Sequence, residues 1–110
     1  MNRQIFEPDW AHELQAFTNR NAGRRTVIEE YGELGAQHEE RGCLLRGVAY
    51  DRRDQRVAIM LGKLEGADQH LTHTVPVDSQ IDLVTDERGR DWALRINHHD
   101  GQTLLRFDTD

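Results

Sequence analysis

The sequence predicts an α+β protein: one N-terminal helix followed by five to seven short antiparallel strands forming a bent sheet or small barrel. Three observations carry this. An apolar stripe at helical spacing occurs once, near the N-terminus, and gives way at Arg25 to a period of two. Turn residues then recur at short intervals, as in 32–35, 51–55, 62–68 and 86–90. Near the C-terminus, Asp100-Gly101 lies between two alternating segments and reads as a hairpin tip. The 110 residues contain no repeat, low-complexity run or linker. A single domain over 1–110 is therefore expected, burying roughly 60–70% of its unfolded surface.

Glu7-Pro8-Asp9 reads as a helix start, since proline is tolerated at the first helical position and acids favour the positive dipole end. Trp10, Leu14 and Phe17 follow at i, i+4 and i+7, and Gly23 supplies a left-handed stop. This predicts a helix at about residues 8–20, docked as a lid on the sheet, with Trp10 and Phe17 as core residues. A β meander is expected over about 25–107. Thr26–Tyr31 is β-branched and aromatic and reads as its first strand. Charged 37–41 reads as an edge extension. Cys43–Tyr50 is the next strand, with Gly47 marking a bulge or a close backbone approach. Arg56–Leu61 returns with Val57, Ile59 and Leu61 on one face, and His70–Val75 is a strand stopped by Pro76. Ile81–Thr85 then pairs with the strand that opens the final hairpin.

Within that hairpin, Asp91–Phe107, the loop length fixes the register. A two-residue loop at Asp100-Gly101 pairs Ile96 with Leu105 and Leu94 with Phe107, collecting Trp92, Leu94, Ile96, Leu105 and Phe107 on one face. A three-residue loop would set Leu94 opposite Arg106 and scatter the apolar set. The shorter loop is therefore expected.

A formal charge of −6, from 14 basic and 20 acidic residues, argues against a general nucleic-acid binder. A lone cysteine, Cys43, cannot form an internal disulfide, so a reducing cytoplasm is the expected location. The first ten residues lack the apolar core of a signal peptide, and no apolar run approaches the ~20 residues of a membrane span.

Six histidines invite a metal reading. His70 and His73 have a ligand pair's spacing only on a helix or turn, because i and i+3 of a strand face opposite ways. His73 shares parity with Leu71 and Val75 and reads as an enclosed structural residue, while His70 points outward. His98-His99 falls at the hairpin tip, so a metal site would draw on His70, His98, His99 and Asp100. Cys43, in a strand before Leu44-Leu45, reads as a buried, inert thiol. Ser79, the only serine, lacks a nucleophile-elbow context. The pairs Glu29-Glu30, Glu39-Glu40 and Asp86-Glu87 read as solvated faces. Arg46, Arg52, Arg53 and Arg56 form one locally basic stretch able to grip an anion or acidic partner, diluted by Asp51 and Asp54. No catalytic set and no cofactor are expected.

Several residues occur in a familiar combination: Trp10 and Phe17, Leu45-x-Gly47-x-x-x-Asp51, Ile59, His70-x-x-His73-x-Val75, and Asp100-Gly101-x-Thr103-Leu104-Leu105-Arg106-Phe107. Together they resemble a family of short bacterial proteins catalogued only as a domain of unknown function, which implies a small bacterial protein and brings no activity or ligand with it. A looser architectural likeness links Leu45–Leu61 to Sm-like RNA-binding barrels. The function expected is thus a non-enzymatic binding or self-association module, possible homo-oligomerisation following from Leu104 on the outer hairpin face. The alternative is a histidine-based metal-binding protein or metal-assisted enzyme, and the third reading is an Sm-like RNA binder. Any small-molecule ligand is left open.

Overall fold

The chain is described by a computed structural model over residues 1–32, 37–63, 70–77, 80–99 and 101–108. Among the described residues eight strands form one antiparallel sheet: β1 (Asn2–Ile5), β2 (Arg25–Gly32), β3 (Gln37–Asp51), β4 (Arg56–Lys63), β5 (His70–Pro76), β6 (Gln80–Thr85), β7 (Asp91–His98) and β8 (Gly101–Phe107). The sheet order is β1-β6-β7-β8-β2-β3-β4-β5, with β1 and β5 as its two edges. This is an α+β arrangement, but with eight strands rather than five to seven, and the sheet does not close into a barrel.

The additional strand is β1. Its NRQI sequence holds one apolar residue, so no periodicity announces it, and its pairing with β6 makes it a strand. Segment 37–41 joins Cys43–Tyr50 in a single strand, β3, whose apparent break in sequence is a bulge, and a second bulge follows further along. Gly42 (φ +83°) is the extra residue against β2, and Arg46 is the extra residue against β4. Gly47, next to that bulge, is a close approach: a Cβ there would lie 3.4 Å from the Thr18 methyl and 3.3 Å from Met60 Cε.

Helix α1 (Trp10–Asn21) follows a 3-10 turn at Glu7–Asp9 that contains Pro8. It packs mainly on β3 and covers one end of the sheet's concave face. Trp10 meets Tyr50 edge-on at 5.1 Å and donates its indole N–H to the Ile5 carbonyl at 2.8 Å. Phe17 stacks on Phe107 at 5.7 Å, and Thr18 Oγ1 accepts the Val48 N–H at 2.9 Å. Gly23 (φ +92°) ends the helix and donates its N–H to the Leu45 carbonyl.

The final hairpin has its tip elsewhere than expected. His98 pairs with Gly101, so the two-residue connection is His99-Asp100, and Asp100 itself falls outside the described residues. Leu94 therefore pairs with Leu105 and Ile96 with Thr103. The shift is by two residues, so side-chain parity survives: Leu94, Ile96, Leu105 and Phe107 are all buried in one core. Trp92 is the exception. A third bulge sets Thr85 against Asp91 and Val84 against Ala93, leaving Trp92 unpaired and 39% exposed while Asp91 turns inward.

Candidate functional site

Inward residues on three adjacent strands become polar toward the end away from α1, β2 and β8 at one level and β7 one residue pair later. From the helix-covered end, β8 presents Phe107, Leu105 and Thr103, β2 presents Thr26, Ile28 and Glu30, and β7 presents Leu94, Ile96 and His98. Glu30 is the cross-strand partner of Thr103, and Thr103 is the partner of Ile96. The end of the concave face away from α1 is therefore lined by a carboxylate, a hydroxyl and an imidazole.

A second imidazole completes the group. The sheet bends far enough for His73 on edge strand β5 to reach Glu30 on β2, Nε2 to Oε1 at 2.7 Å. Thr103 Oγ1 lies 3.4 Å from the same oxygen and 3.2 Å from His98 Nε2. The first contact is short for an imidazole–carboxylate pair, and the Thr103–Glu30 contact is long and weak. Thr103 is fully buried, whereas the Glu30 side chain retains 40% of its exposure. The chain His73–Glu30–Thr103–His98 is thus a polar wall open to water at the carboxylate.

His73 lies on the inner face with Leu71 and Val75, half-buried, with an anionic partner. His70 and His99 are exposed, and His98 is linked to His73 through Thr103 and Glu30. Among the described residues no three His, Cys, Asp or Glu side chains come together as a metal set. Cys43 is buried, and burial pushes its thiol pKa up, with Glu40 adding to the rise. Ser79 lies outside the described residues.

The basic stretch is dispersed. Arg52, Arg53 and Arg56 are exposed at the β3–β4 turn, where Asp51 Oδ1 accepts the Arg53 N–H at 3.0 Å. Arg46 sits at the β3 bulge with its guanidinium across Gly62, so that an added Cβ there would meet its Nε at 2.5 Å. The turn and the bulge are at different levels of the hairpin, and the four arginines do not form one patch.

Two residues of the polar wall were not anticipated. Glu30 was read with Glu29 as a solvated pair, and Thr103 was named only as part of the C-terminal combination that carries the family resemblance, with no role. The signal was parity: Thr26-x-Ile28-x-Glu30 and Thr103-x-Leu105-x-Phe107 keep the inward period of two through to the polar residue.

The sequence model of a family described as "Family of unknown function (DUF5335)" matches residues 1–109. No curated protein and no solved structure matches, and nothing in these comparisons points to an Sm-like barrel. No helix among the described residues is long and apolar enough to cross a membrane.

Proposed function

The chain belongs to DUF5335, a family of unknown function, and from that premise we propose that it is a non-enzymatic binding module whose ligand seat is the His73–Glu30–Thr103–His98 wall. The carrying observation is an inward-facing carboxylate, partly open to water, bonded to an imidazole from the far edge of the sheet. Glu30 keeps 40% of its side-chain exposure beside His73, so a carboxylate on the concave face stays presented to water. A seat for a polar ligand accounts for that placement. Acceptor-rich chemistry of this kind suits a small ligand with N–H donors, such as an amine, guanidine or amide. The Thr103 hydroxyl is fully buried with neighbours on both sides, so it does not face a substrate as a nucleophile would.

A ligand-observed NMR screen of small amines, guanidines and amides tests this reading. Binding should weaken at least about tenfold, some 1.4 kcal/mol, in Glu30→Gln and in His73→Gln, with no change in the bound compound over time. Hits that bind both variants as they bind wild type, or that are chemically converted, overturn it.

Self-association is a second reading, favoured by β5. Among the described residues that edge strand pairs only with β4, and its exposed His70, Thr72 and Thr74 carry no Lys, Arg, Asp or Glu to keep the edge from pairing, Pro76 closing its C-terminal end. Sedimentation velocity should then show a concentration-dependent species that Thr72→Lys removes. A monomer at every concentration overturns self-association and leaves the ligand seat untouched.

A further inference from the structure

At the helix-covered end of the sheet, far from the polar wall, three arginines from three segments line one cleft of about 230 Å³ together with Asn21, Gly89 and Asp91. Arg20 comes from the last turn of α1, Arg24 from the connection to β2, and Arg90 from the turn before β7. Their spacing in sequence hides the convergence.

Two of the three guanidinium groups are already fixed. Arg20 grips Asp91 with two bonds, Nε to Oδ2 at 2.7 Å and Nη2 to Oδ1 at 3.3 Å. Arg24 Nη1 donates to Asn21 Oδ1 and to the Asp91 carbonyl, each at 2.9 Å, and its guanidinium lies 4.0 Å over the Phe107 ring. Arg90 is held by its backbone alone, through the Asp86 carboxylate and carbonyl pairing of the turn. Its guanidinium has no hydrogen bond among the described residues; the Arg90 N–H and then the guanidinium charge help hold the Asp86 carboxyl of the same turn below its ordinary pKa. Asp91 is the one anion lining this cleft, and Arg20 and Asn21 already occupy its carboxylate. The acids Asp86 and Asp108 line an adjoining cleft that shares Arg24, Arg90 and Asp91 with this one.

The arginines do more than balance Asp91 and the negative end of the helix. Three guanidinium groups line the cleft with one carboxylate, Asp91, while Asp86 and Asp108 approach Arg24 and Arg90 from the adjoining cleft, in a chain whose formal charge is −6. We infer that the cleft bounded by Arg20, Arg24 and Arg90 is a binding site for a phosphate dianion, either free or as the monoester of a small molecule. Planar guanidinium forks match phosphate oxygens in pairs, and prefixed forks lose little freedom on binding. The cleft volume admits the group with room for water or a small ester substituent.

The test is NMR of the arginine Nε–Hε groups during titration with inorganic phosphate, ionic strength being held constant with chloride. Saturable shifts at Arg24 and Arg90 are expected. Arg90→Gln should weaken binding at least about tenfold and Arg90→Lys by less, each with an amide spectrum matching the wild type. Arg53→Gln, at the β3–β4 turn, should bind as wild type. Glycerol phosphate in a second arm identifies the source: tighter binding than inorganic phosphate points to a monoester, equal binding to the free ion. Shifts that stay linear and unsaturated to about 50 mM, or Arg90→Gln binding equal to wild type, overturn the inference. The Glu30→Gln variant should bind phosphate normally, so this test and that of the polar wall fail separately.

Discussion

At Asp91, burial raises the carboxyl pKa, but the Arg20 and Asn21 hydrogen bonds and nearby Arg24 outweigh it, leaving the group below its ordinary value. A folded pKa below the unfolded one means stability that is fully present above the ordinary carboxylate value of about 4 and lost as pH falls through the folded value. Asp91→Asn should therefore cost about 1–3 kcal/mol near neutrality, toward the lower figure because the Arg20 side chain is 45% exposed. The gap from wild type should hold down to about pH 5 and shrink below pH 4. Urea unfolding of both proteins across that range checks it, and a gap that widens in acid refutes it. Gly101 makes a second residue-level case. Its φ is +146°, and a Cβ would run into the Tyr31 carbonyl oxygen on the neighbouring strand, whereas Gly89 (φ +79°) has open space around it. Gly89→Ala should cost the backbone strain alone, about 1–2 kcal/mol, and Gly101→Ala clearly more. Equal unfolding midpoints would show that the β2–β8 contact yields freely.

Among the elements, β8 is bonded on both sides, to β7 and β2, and its last residue carries the helix contact. Phe107 is buried against Phe17 with Arg24 above it, so Phe107→Ala should cost about 3–5 kcal/mol. Leu71→Ala on edge strand β5, half-buried, should cost well under that in the same denaturant series; a comparable loss would mean that the edge holds the core. The hairpin also shows what a sequence makes legible. Alternation fixed which face of β7 and β8 is buried, because parity is insensitive to a slip of two. It left the tip unspecified, and Asp100-Gly101 looked like a loop because Gly101 looked like a turn residue. In the fold Gly101 is the first residue of β8, and glycine is needed there by the approach of Tyr31. Bulges explain the other departures. The extra residues Gly42, Arg46 and Trp92 each reset the period; the one at Gly42 divided β3 in the sequence reading, and the one at Trp92 sent that side chain outward while bringing Asp91 in.

For the whole molecule, neither candidate site could be read along the chain. The polar wall joins β2, β5, β7 and β8, and the arginine cleft joins the end of α1 to two turns, so each exists only through the sheet order. That order has a consequence in time. Strands β2 to β5 are neighbours in sequence and in space, as are β6 to β8, so two local meanders can assemble on their own. They meet along a single seam, β8 against β2, where Glu29 and Arg106 pair across 77 positions of chain. Closing so long a loop is entropically uphill until the seam contacts reward it, so the seam should be absent from much of the folding transition state. Stopped-flow kinetics should then show Ile28→Val, at the seam, acting mainly by faster unfolding, and Ile59→Val, inside the first meander, acting mainly by slower folding. The reverse pattern would place the long-range join first. If the join is last, the arginine cleft and the polar wall, both of which span it, are the final parts of the molecule to form and the first to come apart.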